Sequence, residues 1–370
     1  MLFYVFGIQS ELKPYRVFLI LAFIITFLDK SFIYYKLNKV FQSFIFIFIY
    51  GLLIGLFRIG LGKGELNYLT NPATHYLMGL IIFYLLSNIK NEKCLYKISN
   101  YFIIGLLISS LYGFYNFIFV DNNHFRLRGF FNNPNHMAFA INFISPFLIY
   151  KIKAQNNKLN FIIFLFFSTV VFFTGSRTGL LLQILLLLYL IIIFSKNIFK
   201  VVVSFFLMLI SYFIILRPIL GLNLNFLSRF ELSNIKEASG RLDILDAAIS
   251  LGIDTFFTGV GIGKYRFYHL DYISSSAYST LFEYELSTHN HFLDILVNYG
   301  FIPFLIFLVI IFKIFIFYFR YLHIDFYKFC LFTLFILVVS SISQEMLNFP
   351  MYWAFLSLLT IPFNNNFSYE

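Results

Sequence analysis

The sequence predicts an all-α fold: a polytopic membrane bundle of about eleven (10–12) transmembrane helices with one large periplasmic loop. Three observations carry this expectation. The 370 residues are 60% hydrophobic but only 12% charged, roughly half the charge of a soluble domain. Apolar runs long enough to cross a bilayer recur from one end to the other, and mean hydropathy is +0.83. Between residues 217 and 290 this rhythm gives way to one long polar stretch, the place with room for a water-facing site.

Taken in order, the apolar cores fall near 17–28, 42–61, 75–88, 98–120, 136–150, 159–174, 178–195, 199–216, 291–312, 327–342 and 350–363. The first follows Lys13 and Arg16 as a signal peptide would, but no small-x-small cleavage site comes after it, so it is expected to be a retained helix. The chain therefore divides into N-terminal helices (1–216), a polar loop containing short amphipathic helices (217–290) and C-terminal helices (291–370). Alternate connections are rich in lysine: Lys30, Lys36 and Lys39; Lys90, Lys93 and Lys97; Lys151, Lys153 and Lys158; Lys196 and Lys200; Lys313, Arg320 and Lys328. Short basic loops stay cytoplasmic, which puts 62–74, 121–135, 174–178, 217–290 and 343–349 outside.

This sidedness also accounts for the net charge of +10. The cations set topology, and no nucleic-acid partner is implied. Cys94 and Cys330 are far apart in sequence and both near the cytoplasmic side, which supports neither a disulfide nor a metal cluster. No D-x-D string and no zinc-type ligand spacing occur, so neither a metal nor a cofactor is expected.

Four polar strings fall on the outer side: R-L-R-G-F-F-N-N-P-N-H (126–136), G-S-R-T-G (175–179), G-R-L-D (240–243) and H-N-H (289–291). Outside an inner membrane there is no nucleotide donor, so an enzyme there needs a donor already activated in the lipid. Arg177 sits in a turn between two apolar helices. A cation at that depth is costly unless it is paired or wet, and its guanidinium fork suits phosphate; the bland alternative is an interfacial arginine capping helix ends. Arg241 opens an amphipathic stretch with Leu242, Leu245, Ala248 and Ile249 on one face. A cation at a helix N-terminus opposes the dipole, which hints at a ligand, although a solvated arginine is equally ordinary. His289 stands just before a span and has the chemistry to take a proton from a hydroxyl. His291, two residues on, would point to another face, so one of the two is expected to act.

Arg128 and Asn135 belong to a loop whose N-N-P-N string is also a turn former. G-V-G-I-G-K-Y (259–265), with Lys264, lacks the strand context and the Lys-Ser/Thr ending of a phosphate loop, and reads as a flexible turn beside the site.

In this order, these strings resemble the bacterial O-antigen ligase/O-antigen polymerase family of polytopic inner-membrane glycosyltransferases (GT-C-like). The matching pieces are R-x-x-G-x-F-x-N-P-N ending at Asn135, G-S-R-T-G opening a span, Arg241 followed by G-V-G-x-G, and H-N-x-x-L-D from His289 to Gly300. The likeness runs from about residue 98 to the end. It implies metal-independent transfer of glycan from undecaprenyl diphosphate, in the periplasm, to a hydroxyl of a second lipid-linked repeat (polymerase) or of lipid A core (ligase). The N-P-N loop and the G-V-G-x-G turn tilt the reading towards polymerase.

The resemblance further implies that Arg177 and Arg241 hold the diphosphate, that His289 activates the acceptor, and that Arg128, Asn135, Lys264 and Asn290 contact substrate. A chain-length regulator is an implied protein partner. The competing class is a transporter or flippase of lipid-linked oligosaccharides, which would show inverted repeats and short loops; the 217–290 segment argues against it.

Overall fold

A computed structural model describes residues 39–62, 66–87, 92–120, 126–155, 158–193, 239–272 and 287–364. The expected spans at 17–28 and 199–216, and much of the polar segment (217–238 and 273–286), lie outside the described residues. All regular structure among the described residues is helical. Six helices there are long and apolar enough to cross a membrane: Lys39–Gly60, Leu69–Ser87, Ile98–Phe119, Pro134–Gln155, Phe301–Arg320 and Asp325–Ser343.

The chain folds into two compact units, one comprising Met1–Glu92, Ala238–Arg320 and Leu337–Glu370, the other Lys93–Glu237 and Tyr321–Ile336. In the first unit α1 (Lys39–Gly60) and α2 (Asn67–Ser87) pack with the last helix, α12 (Pro350–Asn364). Trp353 on α12 is completely buried and meets Phe44, Tyr76 and Phe83 edge-on. Gly79 is required there, because any β-carbon would run into the Trp353 indole. The buried polar groups are satisfied locally: Trp353 Nε1 donates to the Leu347 carbonyl at 2.8 Å and Ser357 Oγ to the Phe83 carbonyl at 2.9 Å.

The second unit contains α3 (Glu92–Tyr115, continued by a π-helical turn Asn116–Val120), α4 (Pro134–Gln155), α5 (Lys158–Phe173) and α6 (Arg177–Ile193). Helix α4 is apolar on nearly every side and is buried from Met137 to Ile149, as a central helix must be. Asn133 accepts the Asn135 amide at 2.9 Å ahead of Pro134, the first α4 residue. The N-N-P-N string thus supplies a capping side chain and a proline where its missing N–H costs nothing.

Two sequence expectations change. The span expected at 291–312 is interrupted: a four-residue helix α9 (His291–Asp294) runs into a π-helical turn (Ile295–Tyr299), Gly300 breaks the path at φ 93°, and the crossing-length helix α10 is Phe301–Arg320. The amphipathic stretch after Arg241 is helical (α7, Ser239–Asp254), but the face it buries is Ile244, Ala247, Ala248 and Leu251. Ile249 is exposed instead. A 3.6-residue period fits both stripes, and the partners Val260, Tyr265 and Val297 select the first.

Candidate functional site

Two of the polar strings come together in the second unit, and in the first unit the helices that carry the other two pack near one another. In the second unit, the 126–135 loop is tied to the α5–α6 turn. Leu127 N–H donates to the Phe173 carbonyl at 3.0 Å. Arg126 Nε donates to the Thr174 carbonyl and its Nη2 to Asn135 Oδ1, each at 2.6 Å. Arg126 is therefore the brace of this corner. Arg128 and Arg177 both present exposed side chains.

Arg177 owes its place to its neighbours. Ser176 Oγ accepts the Gly179 N–H at 3.2 Å, capping α6 and leaving Arg177 as its first helical residue. Gly179 is packed against Ala138, where a β-carbon has no space, and its carbonyl accepts from Asn142 at 2.9 Å. An exposed guanidinium beside a helix N-terminus is a natural anion site.

In the first unit, α7, the 255–264 loop, α8 (Tyr265–Tyr272) and α9 converge. The loop that reads in sequence as a flexible turn is closely held. Val260 and Gly261 N–H groups donate to the Val297 and Asn298 carbonyls at 3.0 and 2.8 Å, and Tyr265 N–H donates to Asn298 Oδ1 at 2.8 Å. With these amides committed inside the protein, the glycines do not form a phosphate-cradling nest; they permit close packing. Lys264 ends this loop wholly buried, and burial, then the neighbouring Arg58 charge, lowers its ammonium from the ordinary lysine value.

His289 adopts φ 50°, in the left-handed region that few non-glycine residues enter, and its side chain is half-buried. The turn is held by Thr288 Oγ1 donating to the Asn290 carbonyl at 2.9 Å, and Asn290 Oδ1 caps α9 by accepting the Leu293 N–H at 3.0 Å. Asn290 is thus positioned as a cap. His291 is fully buried against Phe307 and Tyr352, with both ring nitrogens lacking hydrogen-bond partners, and burial pushes it down to about 3. Of the two histidines, His289 is the one that is not fully buried.

A buried polar cluster below this turn escaped the sequence reading. Asp294 is 5% exposed and accepts from Asn298 Nδ2 at 2.6 Å. Burial, and then the Glu345 charge, hold its carboxyl well above the usual carboxylate range, against the pull of Arg266 and the Asn298 hydrogen bond. Glu345 pairs with Arg266 at 3.1 Å and accepts from Asn348 at 2.6 Å. The available signals were the acid of H-N-x-x-L-D and the acid in the 343–349 connection. Among the described residues no three His, Cys, Asp or Glu side chains converge on a point that would hold a metal ion.

The six membrane-length apolar helices, with every regular element among the described residues helical, mark a multi-pass membrane protein. Residues 162–308 match the family described as O-antigen ligase, a stretch that takes in Arg177, Arg241, Lys264 and His289. Over that stretch the chain is similar to the O-antigen ligase family, and the match supports an O-antigen ligase/polymerase family member; the family implies glycan transfer with lipid-linked oligosaccharide substrates in a membrane. No curated protein matches the chain.

Proposed function

We propose that this protein transfers glycan from undecaprenyl diphosphate to an acceptor hydroxyl at the periplasmic face of the inner membrane, acting as a polymerase rather than a lipid A core ligase. The observation that supports the reading is the packing of the family strings: the 126–135 loop is tied to Phe173 and Thr174 just ahead of Arg177, and the 260–265 loop to Val297 and Asn298 in the segment that follows His289.

In this reading His289 takes the proton from the acceptor hydroxyl. The acceptor oxygen forms a bond to the anomeric carbon, the bond from that carbon to the diphosphate oxygen breaks, and the diphosphate leaves with the electron pair. Arg177 and Arg241 hold that diphosphate and offset its growing charge, the task a divalent metal performs in other transferases. Arg128 and Asn135 at one corner, and Lys264 and Asn290 at the other, contact or position the substrates.

The test is purified protein given undecaprenyl-diphosphate-linked oligosaccharide, alone or with lipid A core, without added divalent metal. Growth of glycan on the lipid carrier is expected; transfer to core instead makes the protein a ligase, and no product in either arm overturns the transferase reading. Arg177→Ala, Arg241→Ala and His289→Ala should each abolish product while the protein still inserts in the membrane. Full activity of His289→Ala would remove the proposed base.

A further inference from the structure

Helix α1 brings a cation to the site that none of the four strings contains. Gly51, Gly55 and Arg58 lie on one stripe of α1, and this stripe packs on the 258–264 loop. Ile262 N–H points to the Gly51 carbonyl at 3.4 Å, and Tyr50 OH donates to the Thr258 carbonyl at 3.3 Å. Gly261 meets Gly55 backbone to backbone, at a separation neither could keep with a side chain on Gly261. A β-carbon on Gly261 would also lie 3.5 Å from Lys264 Cδ. One turn further on, Arg58 Nη2 donates to the Gly259 carbonyl at 3.3 Å and its guanidinium hydrogen-bonds the Tyr268 side chain.

Arg58 and Lys264 thus reach one glycine loop from separate elements, close enough that the Arg58 charge disfavours the Lys264 ammonium. Arg58 forms no ion pair with a carboxylate among the described residues. A cation in the last turn of α1 gains something from the helix dipole. An anion bridging both would turn their repulsion into attraction, and a group with several oxygens suits a guanidinium and an ammonium together.

We propose that Arg58 and Lys264 clamp the diphosphate head group of a polyprenyl-linked substrate. This rests on the transferase reading above and adds Arg58, from a region without any of the family's strings, to the residues that hold substrate.

The experiment measures binding, not turnover. Full-length protein in phosphatidylcholine nanodiscs is titrated with undecaprenyl diphosphate, and the wild type is compared with Arg58→Gln, Arg58→Lys and Lys264→Gln. Loss of a charged contact to phosphate should weaken binding about tenfold or more in Arg58→Gln and Lys264→Gln. Arg58→Lys should recover part of the loss, and both Arg58 variants should stay folded at the temperature of the titration, which their melting curves check. If Lys264→Gln fails to fold, the two Arg58 variants decide alone. Unchanged binding in Arg58→Gln overturns the clamp. Competition by phosphatidylglycerol as effective as by undecaprenyl diphosphate would make it a general lipid-headgroup site, and free pyrophosphate binding as tightly as the lipid would make it a site for soluble phosphates; either overturns the proposal as stated. Glycan transfer is assayed in parallel: a wild type that binds but never transfers sinks the transferase reading and leaves the clamp, whereas transfer with Arg58-independent binding sinks the clamp alone.

Discussion

His289 carries a β-carbon at φ 50°, a conformation that costs a non-glycine residue on the order of 1 kcal/mol. Thr288 and Asn290 hold the turn in place through their own hydrogen bonds, so the strain is retained at the half-buried imidazole proposed as the base. His289→Gly should therefore keep or slightly raise the melting temperature in detergent while eliminating glycan transfer. A large fall in melting temperature would instead make the imidazole a structural group. Asp294 gives a second prediction, with a sign. Its folded-state carboxyl titrates well above the usual carboxylate range, whereas in the unfolded chain it titrates near pH 3.9. Its contribution is thus fully present below about pH 3.9 and is lost as pH rises through the raised folded value. The groups around it are Glu345, Arg266, Asn298, Tyr265 and Tyr299. Asp294→Asn mimics the protonated acid and removes that dependence. Melting measured from pH 5 to 9 should fall less steeply for Asp294→Asn than for wild type, and parallel curves would show that Asp294 is ionised throughout.

At the scale of elements, glycine contacts decide what can be read from sequence. G-V-G-I-G announces a backbone that bends, but not that Gly261 bends in order to touch Gly55 on α1, because the partner lies two hundred residues away and shares no pattern with it. The helices themselves were legible: apolar cores at 42–61, 98–120, 136–150 and 327–342 became α1, α3, α4 and α11 (Asp325–Ser343). What periodicity could not show was the break at Gly300, since 295–312 is uninterruptedly apolar apart from Asn298, or which stripe of α7 faces inward. The Arg177 and His289 turns were legible because polar strings stand out in an apolar chain. Arg58, Arg266 and Glu345 were not, because each is a lone charge whose meaning comes only from its tertiary neighbours. A pair of alanine substitutions tests the glycine argument. Gly261→Ala meets Gly55 backbone and a φ of 103°, so it should cost about 1–3 kcal/mol of stability. Gly60→Ala, with nothing within 4 Å, should stay within about 0.5 kcal/mol. Equal denaturation midpoints for the two would mean that α1 does not sit on the loop.

For the molecule as a whole, function depends on which side of the membrane the polar corners face. The expectation rests on five lysine-bearing connections that alternate with five others along the chain. Each lysine near a helix end biases its loop to the cytoplasm, and reversing one helix would force its neighbours to reverse as well, so the count is cooperative. Helix geometry makes the bias testable from single exposed positions. Gly62 lies just beyond the end of α1, Asn132 lies in the loop braced by Arg126, and Gln155 ends α4 next to Lys153 and Lys158. With Cys94 and Cys330 replaced by serine, single cysteines at these three positions should separate cleanly. Gly62→Cys and Asn132→Cys should react with a membrane-impermeant maleimide on intact spheroplasts, and Gln155→Cys only after the membrane is opened. The first two sites lie in different connections, so their shared reactivity would show that the Arg128 loop and the α1 end bearing Arg58 open to the same compartment. Labelling of Gly62→Cys and Asn132→Cys from opposite sides would overturn the alternation of cytoplasmic and outer connections.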